Sequence, residues 1–428
     1  MRTAVIAISF LLASATIAQT TLNTPSEVLK GEPIPVRVDG LDPEERVLIT
    51  AERRRRSGLF RSGGLFVADE NGVVDLSTHR PIVGTWTDVD PTGLFWSIRD
   101  SGEDSPNDLE PSVYRVRVDV GVDDVVEHQR DVKMLRERGT FDEIAVGEQL
   151  PGAVLVRPTG DEPLACVIAL GGSECGDSTA RSVAIELASR GYAVLALPYC
   201  ASSRSEQPIE GLPTAFAEIP IDSLEIARDW LRDRIDIRDE AIALWGVSKG
   251  AELALAAAER IEGFAVIVAI VPSDVIWQGW GVEETTSSFS WRGEALPYVP
   301  YLGMGEEFSR LGRGQPARIR TAHDAGRLAN PERVPPARIA VEQIDEPVMV
   351  IGGDRDRTWD SGDMARNIAE ARDEAGLETV IIVDTEAGHY LAGDAFAPLD
   401  PAQARVRAEA FPAMLRFLDE HLRSETER

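Results

Sequence analysis

Lysine is almost missing from this chain: Lys30, Lys133 and Lys249 are the only three, set against 72 acidic residues and a formal charge of −28. Phosphate backbones are bound by clusters of cations, so a surface this negative excludes nucleic acid as a partner. The one dense basic stretch, Arg53 to Arg56, reads as part of an exposed strand or hairpin. Cysteine is scarce too, and the spacing of Cys166, Cys175 and Cys200 suits no common zinc site. Apolar runs are short. The N-terminal one, Ala4 to Leu12, falls below the roughly 17 residues that span a bilayer, and no second candidate follows. Arg2 before it and small residues after it, ending at Ala18, give the layout of a secretory leader over residues 1–18. Cleavage is predicted after Ala18, with Ala15 as the alternative, and export to periplasm or medium is the expected destination.

What is present is concentrated in one stretch. The apolar run Ala241 to Trp245 leads directly into Gly246-Val247-Ser248-Lys249-Gly250 and out into an Ala/Leu-rich helix. A strand, Gly-x-Ser-x-Gly and a helix in that order form a nucleophile elbow, in which the serine occupies a sharp strained turn and the glycines allow close backbone approach. Ser248 is the candidate nucleophile. Such a serine needs a base and a carboxylate that orients it, following in the order Ser, Asp/Glu, His. Pro347 to Ile351 reads as a strand that ends in Gly352-Gly353-Asp354-Arg355-Asp356, which offers Asp356 as first choice and Asp354 as the alternative. Thr379 to Val383 reads as the next strand, followed by Glu386-Ala387-Gly388-His389-Tyr390. With five histidines in all, elimination is short. His79 and His128 precede the serine, His323 has no strand before it and His421 lies in the terminal helix, so His389 is the candidate base.

The oxygen that turns negative during acyl transfer needs hydrogen-bond donors, each worth roughly 3 to 4 kcal/mol. The backbone N–H of Lys249 is one. Leu164 to Leu170 reads as a strand running into Gly171-Gly172-Ser173-Glu174-Cys175-Gly176, where the N–H groups of Ser173 and Glu174 are the further candidates. Cys175 and Cys200 follow the C-terminal ends of consecutive strands that would be neighbours in a parallel sheet. They form a candidate disulfide in an exported protein, whereas Cys166 lies within a strand as a buried thiol.

Two regions differ in period. Residues 20–135 show short alternating strands (34–38, 46–50, 65–68, 114–120) with turn signals and no helix, which predicts an antiparallel β-sandwich. From 141 to 428, strands alternate with helices, which predicts an α/β-hydrolase with a mostly parallel sheet. The alternation lapses over about 272–340, read as a cap insertion, where Trp277, Trp280, Trp291 and Tyr298 either line an acyl pocket or pack cap against sheet.

With those residues in view, the chain resembles the acyl-CoA thioesterase and bile acid-CoA:amino acid N-acyltransferase family, especially its bacterial members, over nearly all of its mature length. Ala68 to Leu76 and Asp88 to Ser97 look like that family's β-sandwich. Gly171 to Glu174, Gly191 to Leu197, Gly246 to Leu253, Pro272-Ser273, Trp277 to Gly279 and Ala387 to Tyr390 look like its hydrolase part. The resemblance implies Ser248, Asp356 and His389 as catalytic positions. It also implies hydrolysis, because the conjugating members use cysteine where Ser248 stands. Cys175 departs from the glycine usual in bacterial relatives. The expected activity is a cofactor-free and metal-free serine hydrolase cleaving a small-molecule acyl thioester or carboxylic ester through an acyl-enzyme. An acyltransferase using an amine or alcohol acceptor, and a catalytically silent exported binding module, are the alternatives.

Overall fold

The computed structural model describes residues 19–120, 126–201, 208–393 and 400–423. The leader expected over 1–18 lies outside them. The chain divides into two compact units, Met1–Val28 with Pro33–Met134, and Leu29–Glu32 with Leu135–Arg428.

The first unit is built from two sheets. Thr21–Asn23, Arg37–Asp39 and Val74–Asp75 form a three-stranded one. The larger sheet centres on Val113–Val120, Arg46–Arg55 and Gly58–Val67, all antiparallel. Alternation gives it one apolar face: Val47, Ile49, Tyr114, Val116 and Val118 are fully buried. The basic run ends a strand and enters its hairpin, as expected, and Arg53 donates to the Tyr114 hydroxyl at 3.0 Å. One expectation fails, since Gly93–Trp96 is a turn of helix. Asp90 holds it from outside: Oδ1 accepts from the Thr92 N–H at 2.7 Å and Oδ2 from the Trp96 indole at 2.6 Å. A single turn has no periodicity to read.

The second unit carries an eight-stranded sheet whose strands are numbered here in chain order: β1 Phe141–Ala145, β2 Val154–Pro158, β3 Leu164–Leu170, β4 Ala193–Ala196, β5 Ile237–Val247, β6 Val266–Ile270, β7 Val348–Gly353 and β8 Thr379–Asp384. Their spatial order is 1-2-4-3-5-6-7-8. β2 runs antiparallel to β1 and β4, and the other pairs are parallel. The two leading strands escape a sequence reading because β1 is a mostly exposed edge and β2 a short apolar run ending in proline.

Helices α1 Ser178–Ala188, α2 Asp222–Arg232, α3 Lys249–Ala258, α4 Met304–Gly312, α5 Ile319–Ala329, α6 Ser361–Glu374 and α7 Pro401–Leu422 accompany the sheet. α2, α3 and α6 bury their apolar residues against one face, with Cys166, Ile168 and Leu170. α1 and α7 cover the other, with Ala165, Val167 and Ala169. Two covered faces explain why the central strands are apolar on every residue. Among the described residues no helix is long and apolar enough to cross a membrane.

The cap region contains α4 and α5 and a small sheet in which Phe289–Trp291 joins Ile219–Pro220 and Glu294–Ala295. It has its own apolar cluster, formed by Val275, Trp277, Val299 and Ala337 with Trp359 and Met364. Within it, Asp274 pairs with Arg327 of α5 at 2.7 and 2.8 Å and accepts from Asn367 of α6 at 2.9 Å, which ties the cap to that helix.

Parallel pairing of β3 with β4 brings their C-terminal loops to one rim, and there Cys175 and Cys200 are bridged. Cys166 is a free, buried thiol whose pKa burial pushes up to about 12. Thiol titration is expected to find no reactive group in the native protein and one after unfolding without reductant. Three after unfolding would contradict the bridge.

Candidate active site

The elbow serine is held by the approach of two backbones. Ser248 sits at φ 57°, ψ −121° between β5 and α3, and its N–H donates to Ile270 O at 2.9 Å. A non-glycine residue at positive φ is strained and persists only where its surroundings over-determine it. The flanking glycines show how. A Cβ on Gly250 would stand 2.2 Å from Gly171 O, and one on Gly246 would stand 2.2 Å from Gly250 O. α3 therefore starts against the end of β3 only because neither position carries a side chain.

The other two candidates arrive from neighbouring strands. β5, β6, β7 and β8 are parallel and in register to their ends, so their following loops share one rim. Gly353, the last residue of β7, lets the loop after β8 close in, since a Cβ there would meet Ala387 O at 2.4 Å. Asp384 Oδ1 shapes that loop, accepting from the N–H groups of Glu386 and Ala387 at 2.8 and 2.9 Å. His389 then lies with Nε2 2.9 Å from Ser248 Oγ and Nδ1 2.7 Å from Asp356 Oδ2. Asp356 is buried, and its other oxygen accepts from the Thr358 N–H at 2.7 Å. A carboxylate only accepts, so Nδ1 carries the ring proton and Nε2 is free to take one from the serine hydroxyl. Asp354, the alternative acid, turns away to pair with Arg366 at 2.9 Å.

Comparisons with known proteins place the chain in a family. Residues 31–140 match the family described as the acyl-CoA thioester hydrolase/BAAT N-terminal region, and residues 219–423 match the BAAT/acyl-CoA thioester hydrolase C-terminal region. The chain belongs to this family. It is 28% identical over 377 residues to acyl-coenzyme A thioesterase 1 of Rattus norvegicus, covering 84% of this chain and 82% of that one. It is 29% identical over 352 residues to acyl-coenzyme A amino acid N-acyltransferase 2 of Rattus norvegicus, covering 78% and 77%. Among solved structures, a putative dienelactone hydrolase from Klebsiella pneumoniae aligns with TM-score 0.44 at 18% identity, over 66% of this chain and 98% of that one.

Within this family member, the loop after β3 approaches the serine through Gly172, where a Cβ would lie 3.4 Å from Ser248 Cβ. Of the donors expected there, Ser173 is exposed. Glu174 folds its carboxylate back to accept from the Gly172 N–H at 3.1 Å and from Thr179 Oγ1 at 2.5 Å. Lys249 opens α3. Its side chain, which the sequence reading left unused, is buried against Glu252, with Nζ 2.7 Å from both carboxylate oxygens and 2.8 Å from Ser288 Oγ. Burial pushes the lysine pKa down and the glutamate pKa up, each opposed by the partner's charge. Glu252 also accepts from the Trp277 N–H at 3.1 Å, so the pair joins the elbow helix to the cap. The i,i+3 spacing of Lys249 and Glu252 was the available signal. Among the described residues, no group of three or more His, Cys, Asp or Glu is placed to hold a metal ion.

Of the four aromatic candidates, Trp280, Trp291 and Tyr298 pack against the core cluster that includes α2, α3 and α6, and Trp277 belongs to the cluster of the cap. Trp277 is wholly buried, stacks on Tyr301 at 5.9 Å and shares an apolar cluster with Trp359 and Met364. Trp280 stacks on Phe216 at 4.2 Å, while Trp291 and Tyr298 lie under the guanidinium groups of Arg292 and Arg333. What surrounds the site instead is a set of rings around His323, at 4.6 Å from Trp277, 4.9 Å from Tyr301 and 5.5 Å from Trp359, which itself sits edge-on to His389. Burial pushes the His323 pKa from 6.5 down to about 3, against the Ile319 carbonyl that favours its proton. Between those values the unfolded chain binds a proton that the folded chain refuses. His323 therefore stabilises the fold fully above about pH 6.5, and that contribution declines by up to about 4 kcal/mol as pH falls towards 3. Urea midpoints measured across this range are expected to fall less steeply in His323→Gln than in wild type. Equal slopes would contradict the assignment.

Proposed function

We propose that this chain hydrolyses small-molecule acyl thioesters or carboxylic esters through a covalent acyl-serine. The observation that carries the reading is the unbroken line from Asp356 through His389 to Ser248, at 2.7 and 2.9 Å. Ser248 Oγ attacks the acyl carbonyl carbon while His389 Nε2 takes its proton. The new Oγ–C bond pushes the carbonyl electrons onto oxygen, and the N–H of Lys249 with the N–H groups of Ser173 and Glu174 donates hydrogen bonds to the resulting oxyanion. As the tetrahedral species collapses, the bond to the leaving oxygen or sulfur breaks and His389 returns the proton to it. Water then repeats the sequence on the acyl-enzyme, releasing a free acid and restoring the serine. Asp356 holds the imidazole in the required tautomer throughout. The steps need no cofactor.

The relatives' printed activities support thioester substrates, and one of them is an amino acid N-acyltransferase, which keeps transfer as the second reading. The serine at position 248 favours hydrolysis over conjugation. We further propose export, supported by the leader-like residues 1–18 and by the Cys175–Cys200 bridge, which persists in oxidising compartments. Export would separate the enzyme from cytoplasmic coenzyme A thioesters and favour other esters or thioesters as its substrates.

The test is a panel of p-nitrophenyl esters and acyl-CoA thioesters of graded chain length, run with and without amine acceptors. Wild type is expected to release free acid. Ser248→Ala and Asp356→Asn are each expected to lower kcat by about 10³-fold or more, while Asp354→Asn stays within about threefold. Undiminished turnover in Ser248→Ala, or conjugates as the main product, would contradict the reading.

A further inference from the structure

We infer that Tyr199 is a positioning residue that aims the backbone donors of the β3 loop at the substrate oxygen. The inference rests on the serine hydrolase reading above. Tyr199 follows β4, is buried, and places its hydroxyl 2.7 Å from Gly171 O and 3.1 Å from Gly172 O, sharing one proton between them. Each carbonyl belongs to a planar trans peptide whose N–H points the opposite way. Gripping Gly171 O therefore sets the direction of the Gly172 N–H, and gripping Gly172 O sets that of the Ser173 N–H. Both planes lie where the loop meets the nucleophile, beside Ser248. The Gly172 N–H is engaged by Glu174, which assigns the substrate-facing role to the Ser173 N–H.

The neighbouring residue anchors the far end of the same loop. Cys200 is bridged to Cys175, and its carbonyl accepts from the Gly176 N–H at 2.9 Å. One dipeptide thus grips the loop at its first carbonyls and again at its close, and the segment between carries the candidate donors. Tyr199 is itself fixed, with its ring edge-on to Phe216 at 6.1 Å. Burial, helped by the charges of Glu174 and Glu252, pushes the phenol pKa well above its ordinary value, so the hydroxyl keeps the proton it donates. Within the loop, the Glu174 carboxylate holds the Gly172 N–H and the Cys175 N–H reaches Gly172 O at 3.4 Å, so Tyr199 adds the grip on Gly171 O and a second, shorter one on Gly172 O; preorganised donors stabilise an oxyanion only when their direction is set before reaction.

Tyr199→Phe keeps the ring and removes the donor. It is expected to lower kcat by about 10- to 100-fold with KM within about twofold. Affinity for a trifluoromethyl ketone, which forms a tetrahedral adduct on the serine, is expected to fall by the same factor as kcat/KM. A hydroxyl that merely satisfied buried carbonyls would lower thermal stability and leave that ratio unmoved. The double variant Cys175→Ser/Cys200→Ser frees the other end and is expected to lower kcat in the same sense. Unchanged kcat and inhibitor affinity in Tyr199→Phe, or a change confined to KM, would overturn the inference. Ser248→Ala separates the two levels: if it is inactive while Tyr199→Phe is normal, only this inference fails, and if it is fully active the hydrolase reading fails with it.

Discussion

The close approach of α3 to the end of β3 is the constraint on which the rest of the site depends. At Gly246 and Gly250 backbone meets backbone with no room for a Cβ. Because the sheet is buried on both faces, neither element can yield to relieve the contact. The positive φ of Ser248 is the product of that packing. Strain of this kind costs on the order of 1–3 kcal/mol and is sustained by a core many times that large. The hydroxyl is thereby raised to the rim, where parallel register delivers the loops after β7 and β8.

A second layer of order surrounds the first. Lys249 and Glu252 place a charge pair inside the protein, where a lone charge would be costly, and they satisfy it with Ser288 and the Trp277 backbone. Removing either partner would leave an uncompensated buried charge beside Ser248. The first turn of the helix that follows the serine therefore also fastens the cap region. On the other flank, the phenol of Tyr199, the Glu174 carboxylate and the Cys175–Cys200 bridge together hold the glycine-rich loop after β3.

Much of this architecture can be read from the sequence. The alternation of strand and helix announced the hydrolase fold, and the order of serine, carboxylate and histidine along the chain singled out Ser248 and His389. Asp356 and Asp354 stood as alternatives because both leave the same strand end. Only the turn geometry separates them, sending one to the imidazole and the other to Arg366. The antiparallel β1 and β2, the helical turn at Gly93–Trp96 and the contents of the cap were not readable, since each is decided by partners distant in sequence or by a segment too short to show a period. The aromatic residues of the cap are open to either role for the same reason: composition marks a packed surface and a ligand surface alike, and burial shows only that Trp277 is packed. Tyr199 carried no local signal at all, because its role depends on carbonyls of a loop that precedes it by a whole helix and strand.

In the proposed reaction, His389 makes the Ser248 hydroxyl nucleophilic. Treating the intact protein with a fluorophosphonate and mapping the modified peptide by mass spectrometry tests it most directly. A single adduct on Ser248, forming at least a hundredfold more slowly in His389→Gln, as loss of a general base would give, is the predicted result. Labelling at another residue, or a rate indifferent to the histidine, would contradict it.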